Sequence, residues 1–181
     1  MRFTSRLILC AVVPAGLFVL ALAISLWGLT RTQSDFSRYM GTEQAVAAGL
    51  SELYAQGLQS GQALRNIVLD PANQVAYDNL KASHQAFDEA YEATLAVVRG
   101  TPVEAALLPL KQLRVTQVGV QGQVRDLARS DPAAAAQALN SLETPAWRAL
   151  RSALLQQIKV ARATAVEITH ASGEIAQGNA D

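Results

Sequence analysis

Residues Val46 to Leu69 read VAAGLSELYAQGLQSGQALRNIVL. Along this stretch Val46, Leu50, Leu53, Gly57, Ser60, Leu64 and Ile67 recur at alternating steps of four and three. That alternation keeps small or apolar side chains on one stripe of a helix. Sustained over several heptads, it specifies near-parallel helices in left-handed packing. No segment of the chain shows the sustained period-two alternation of a strand.

The same pattern occurs three more times. Tyr77, Leu80, His84, Phe87, Tyr91, Thr94 and Val98 form a second stripe. Ala106, Leu110, Leu113, Gln117, Val120, Val124 and Leu127 form a third. Trp147, Leu150, Leu154, Ile158, Ala161, Ala165 and Ile168 form a fourth, with one extra residue inserted.

Breaks between the stripes fall at Asp70-Pro71, Gly100-Thr101-Pro102 and Ser130-Asp131-Pro132. Each sets a capping side chain before a proline, which at the first helical position gives up a hydrogen bond it would not have made. Thr101 and Glu104 fit a capping box. The spacing predicts helices over about 31–69, 71–99, 102–130 and 132–178. Short connections make neighbours antiparallel, so the fold is all-α, an up-down-up-down four-helix bundle. The first and last helices outrun the middle pair, and their excess is expected to form a stalk. Pro109 and Pro145 fall inside predicted helices and should kink or restart them.

Upstream, Leu7 to Leu29 carries no charge. As a helix it spans about 34 Å, enough for a hydrocarbon core of about 30 Å. Trp27 suits an interfacial anchor. A cleaved signal peptide is the rival reading, with Ala21-Leu22-Ala23 as its site. The apolar run continues past that site through Ile24, Leu26, Trp27 and Leu29, which favours an uncleaved anchor. Cys10 is read as a small apolar residue of the run, not a lipidation site, because Leu9 before it is bulky. Arg2 and Arg6 before the run nearly balance Arg31 and Arg38 after it. A short basic tail kept in the cytoplasm is the commoner arrangement, so the bundle is expected outside. The expected organisation is a cytoplasmic tail at 1–6, a transmembrane helix at 7–29, the bundle at 30–170 and a tail at 171–181.

Composition excludes several classes. The chain beyond residue 29 holds 13 basic and 15 acidic residues and no Lys/Arg cluster, which argues against a nucleic-acid partner. It has no cysteine, and two histidines, His84 and His170, are too few for a His-rich metal centre. No nucleophile–base pair or phosphate loop is present, so neither enzyme activity nor a cofactor is expected.

One stretch is more distinctive than pattern alone. Gly61-Gln62-Ala63-Leu64-Arg65-Asn66-Ile67-Val68-Leu69-Asp70-Pro71-Ala72-Asn73, followed by Ala76-Tyr77-Asp78-Asn79, resembles the first hairpin of the four-helix-bundle sensor domain of methyl-accepting chemotaxis receptors. Thr144-Pro145-Ala146-Trp147-Arg148, with Leu150 and Arg151, resembles the matching part of the fourth helix. The resemblance covers residues 1 to about 165. It implies a sensing module for chemotaxis in the bacterial inner membrane, with the bundle on the periplasmic side. It also implies a homodimer that binds a small-molecule ligand or a periplasmic binding protein near the distal end. The family continues with a second membrane helix, a HAMP linker and a signalling hairpin, absent from these 181 residues. Gly173 to Asp181 resembles the opening of that hairpin, so a truncated or split receptor is expected as readily as a stand-alone sensor. A membrane-anchored helical scaffold or adaptor is the alternative.

Arg65 and Asn66 are the candidate ligand-binding residues, about 7 Å below the distal turn. An arginine there could hold a carboxylate in bidentate fashion. Its bland reading is a surface ion pair with Asp70 or Asp126. Tyr77, Tyr91 and Trp147 are read as core, and His84 and Gln117 as polar seam residues that fix helix register. Gly57 and Gly61 signal a close helix contact.

Overall fold

The computed structural model describes the backbone of residues 3–178 and the side chains of residues 12–34, 41–164 and 166. Its elements are α1 (Phe3–Leu69), α2 (Gln74–Val98), α3 (Pro102–Ser130), α4 (Pro132–Ala138), a π-helical turn (Leu139–Glu143) and α5 (Thr144–Gly178). No strand occurs among the described residues. The chain forms two units, Met1–Gly41 and Thr42–Asp181.

In the first unit, Val12–Ser34 is long and apolar enough to cross a membrane. Its large apolar side chains, Phe18, Ile24 and Leu26 among them, are exposed. An all-round apolar surface of this kind is what a lipid environment covers. The Arg31 guanidinium stands 5.4 Å from the centre of the Trp27 ring. The predicted run starts earlier, and the side chains of Leu7 to Ala11 lie outside the described residues, as do Met1 and Arg2.

In the second unit the seam residues gather into two apolar clusters. One joins Val46, Leu50 and Leu53 with Phe87 and Tyr91, Leu107 and Leu110, and Leu150, Leu154 and Ile158. It therefore unites the earlier part of the α1 seam, the later half of α2, the earlier half of α3 and the body of α5. The other joins Leu64 and Ile67, Ala76 and Leu80, Val124 and Ala128, and Ala135 and Ala138. The halves are complementary, which only antiparallel neighbours allow. The up-down-up-down bundle follows.

All seven predicted seam residues of α1 are buried. Gly57 is there because a Cβ would overlap the Trp147 ring. Two other stripes are shifted. In α2 the first turns bury Ala76 and Ser83, leaving Tyr77 and His84 half-buried beside them. In α3 the buried residues are Leu107, Leu110, Arg114, Gln117, Gln121, Val124 and Ala128, and Leu113, Val120 and Leu127 only flank the core. The stripe follows polar partners, described below, in preference to the most apolar choice. Of the fourth stripe, Ala165 and Ile168 lie outside the described side chains, as does His170. The predicted tail at 171–181 falls on residues whose side chains, and at 179–181 whose backbone, are outside the description.

Two caps differ from expectation. Pro71 sits in a turn instead of opening α2, because Asp70 Oδ1 accepts from Ala72 N at 3.1 Å and Asp70 O from Asn73 N at 3.1 Å. Asn73 then caps α2, its Oδ1 accepting from Ala76 N at 3.2 Å. At the next connection the capping box is displaced by one residue. Glu104 Oε2 accepts from Gly100 N at 2.8 Å, while Thr101 Oγ1 turns back to donate to Val98 O at 2.7 Å. Gly100, at φ 77°, takes the left-handed conformation that favours glycine. Asp131 caps α4 as its position suggests, accepting from Ala134 N at 2.9 Å.

Candidate functional site

The fourth helix changes phase where Pro145 approaches. Proline has no N–H to donate and its ring clashes with the carbonyl four residues back. The chain widens by one residue there: the Thr144 N–H reaches Leu139 O, five residues away, and Thr144 Oγ1 donates to the same oxygen at 3.0 Å. The restart expected at Pro145 thus takes the form of a π turn.

This widening selects which side chain enters the core. In an unbroken α-helix the residue four beyond buried Ala138 is Leu142. The extra residue turns Leu142 outward, to 46 % exposure, and brings Glu143 to 0 %. A leucine faces water so that a carboxyl can face the interior. Single-turn π insertions of this kind gather at functional sites.

Around Glu143 a polar layer crosses the bundle between the two apolar clusters. Gln121 Nε2 donates to Glu143 Oε1 at 3.2 Å and to Ser60 Oγ at 3.3 Å. Its Oε1 lies 2.7 Å from His84 Nε2 and accepts from it, so that nitrogen carries the imidazole proton. One amide side chain therefore joins α1, α2, α3 and the π turn. Burial is the main influence on His84 and lowers its pKa, favouring the neutral ring; the Gln121 bond opposes this. Further along α3, Arg114 Nη1 donates to Gln117 Oε1 at 2.7 Å, and the guanidinium lies 4.2 Å from the centre of the Phe87 ring. Among the described residues, four buried side-chain atoms make no hydrogen bond: Arg114 Nε and Nη2, Gln117 Nε2 and Glu143 Oε2. Burial pulls the Arg114 pKa down to about 10, with Asp88 acting against it.

Two cavities of about 320 Å³ open between α2 and α3. Phe87, Asp88, Tyr91, Glu92, Lys111, Arg114 and Val115 line one of them. The other is bounded by Tyr77, Lys81, His84 and Arg125 among others.

The residues expected from sequence to hold a ligand lie elsewhere. Arg65 and Asn66 are exposed on α1, and neither lines these cavities. Arg65 makes no ion pair among the described residues; Asp126 pairs with Arg125 at 2.8 Å instead. The Arg65 side chain runs back over Gly61, where a Cβ would sit 3.4 Å from its Nη1 and 3.9 Å from Glu143 Oε1. His84 and Gln117 are polar seam residues, as expected, but they are part of a larger layer. Tyr91 and Trp147 are core, whereas Tyr77 is half-buried under Arg129, whose Nε donates to its hydroxyl at 3.2 Å.

Glu143, Gln121 and Arg114 were not legible as site residues. For Glu143 the available signal was Pro145: allowing one extra residue before it, the phase of Ala135 and Ala138 points to position 143.

No family model matches the chain, and no curated protein does. Among solved structures the chain is similar to the periplasmic sensor domain of a sensor histidine kinase, at 16 % identity and a TM-score of 0.66. The match covers 76 % of this chain and 94 % of that one. At this identity the likeness is one of fold.

Proposed function

We propose that this chain is a membrane-anchored sensor module, held by the helix through Val12–Ser34 with its bundle on the periplasmic side. It would bind a small molecule or a ligand-loaded binding protein and pass a small helix displacement toward the membrane. Signal transduction is the coarse reading. Chemotaxis, through a homodimer of the receptor type that the Gly61–Asn79 hairpin resembles, is the finer one. The fold shared with a histidine kinase's sensor domain supports the coarse reading.

One observation carries sensing over scaffolding: the exchange of Leu142 for Glu143 at the π turn. A buried carboxyl with one oxygen unbonded costs stability that a bundle serving only as a scaffold would keep by burying Leu142 instead. Polar layers of this kind trade stability for a defined and adjustable register.

Spin labels at Glu52→Cys on α1 and Arg151→Cys on α5, in a Cys10→Ser background, test the reading in the full chain. Both positions are exposed. A change in label separation on adding amino acids or small organic acids at millimolar concentration is expected. A separation unmoved by every compound, and by periplasmic extract, would give the scaffold reading precedence.

A further inference from the structure

Two helices of the bundle carry opposite charge on their outer faces. From Thr144 to Val166, α5 exposes Arg148, Arg151, Lys159 and Arg162 and holds no acidic residue. On α2, Asp78, Asp88, Glu89 and Glu92 are exposed beside one lysine, Lys81. α3 packs against both helices, and in an up-down-up-down bundle α2 and α5 stand at opposite corners. The basic and acidic faces therefore look away from each other. None of the four bases on α5 makes an ion pair among the described residues. Glu89 accepts from its neighbour Gln85 at 2.8 Å, and Glu92 meets Lys111 in one contact at 3.3 Å.

The two faces also match in register. His84 and Glu143 both meet Gln121, which sets them in one layer of the bundle. Beyond that layer α2 and α5 are regular helices running in the same direction. Glu89 and Arg148 each follow it by five residues, Glu92 and Arg151 by eight, Ala96 and Leu155 by twelve. At 1.5 Å per residue these pairs stand about 7.5, 12 and 18 Å from the layer. Each triplet is spaced to fall on one face of its helix, and Leu155 is 42 % exposed. Lys159 and Arg162 lie past the end of α2 and have no counterpart on it.

A face that matches a different face of the same chain, height for height, fits a second copy standing parallel. We propose that copies anchored in one membrane associate side by side, Arg148, Arg151 and Leu155 of one against Glu89, Glu92 and Ala96 of the next. A two-fold dimer joins a face to itself, whereas this contact is heterologous and propagates from copy to copy. It rests on the membrane anchorage of the proposed function and is independent of any ligand. Exposed ion pairs are individually weak, so the contact needs the high effective concentration that a shared membrane gives.

The test is disulfide cross-linking of the full chain in phosphatidylcholine vesicles, with Cys10→Ser throughout. One protein carries Ala96→Cys and the other Leu155→Cys. Their mixture is expected to give roughly tenfold more cross-linked dimer than either protein alone, as a heterologous contact requires. A chain with both cysteines should give a ladder of larger species. Raising salt from about 0.05 to about 0.5 M should screen the pairs and reduce the yield several-fold. Arg148→Glu in the Leu155→Cys protein should reduce it likewise, and Glu89→Arg in its partner should restore it. Thermal midpoints of these surface variants should match the parent's. The contact is overturned if the mixture gives no more dimer than its components, or if the charge exchange restores nothing. Flotation of the same vesicles separates the two readings. Protein that does not float removes the anchor and the contact with it; protein that floats without cross-linking removes only the contact.

Discussion

Gln121 Nε2 lies 3.2 Å from Glu143 Oε1, and through this contact α3 holds the π turn against the bundle. The same amide meets Ser60 and His84, and its removal strands His84 Nε2 and Glu143 Oε1, while Ser60 Oγ still donates to Gly57 O at 2.9 Å. Gln121→Leu is expected to destabilise the bundle by about 1–3 kcal/mol, the cost of leaving buried polar groups unpaired. Glu143→Gln keeps an acceptor for Gln121 and should cost less than about 1 kcal/mol. Thermal or denaturant unfolding of both variants checks this order. A Gln121→Leu protein as stable as the wild type would show that the layer contributes nothing to stability.

Gly57 and Gly119 make a matched pair of glycines. Both are helical, but a Cβ at Gly57 would overlap the Trp147 ring, whereas at Gly119 nothing lies within 4 Å. Alanine gains up to about 1 kcal/mol over glycine in a helix. Gly119→Ala should therefore be stabilising by about 0.5–1 kcal/mol. Gly57→Ala should be net destabilising, since forcing bulk into a packed core costs about 1–3 kcal/mol. The two midpoints should move in opposite directions.

His84 makes stability depend on pH in a definite direction. Burial lowers its pKa, so near its ordinary value, about 6.5, the unfolded chain binds more protons than the folded one. Stability is present above that value and falls as the pH drops through it. The unfolding midpoint should be lower at about pH 5.5 than at about pH 7.5, and His84→Gln should shrink the difference. A difference unchanged in the variant would assign it to other groups.

Arg65 tests the distal-end reading. Being exposed and without an ion pair among the described residues, it should cost no more than about 0.5 kcal/mol of stability when replaced by alanine. If an anionic ligand binds there, Arg65→Ala should weaken it about ten- to a hundredfold. Isothermal titration with any organic acid found to stabilise the wild type decides the matter. Equal affinity in both proteins would remove Arg65 from the site.

The fold was written in plain periodicity. Val46 to Ile67 specified a helix stripe residue by residue because every position on it is apolar or small. The α3 stripe was harder, since two registers share Leu110, Gln117 and Val124. Apolarity favours Leu113 and Val120, yet the bundle buries Arg114 and Gln121. Hydrophobic pattern cannot register that a glutamine is needed to meet Ser60, His84 and Glu143, because those partners come from three other segments. The site was legible only where a polar residue broke an otherwise apolar stripe, as at His84 and Gln117. Glu143 stayed hidden because a π turn changes the count on which periodicity depends.

The π turn also bears on how this helix can vary in length. Removing Leu142 would let Glu143 fall four residues after Ala138, and an ordinary α-helix would then carry it inward with the downstream core still in step. Pro145 resists that shortening, since a proline inside a regular helix costs about 3 kcal/mol or more. Deletion of Leu142 and replacement of Pro145 therefore belong together. A homologous chain that lacks one should lack the other, and a one-residue gap just before a missing proline marks where the two helix forms diverged.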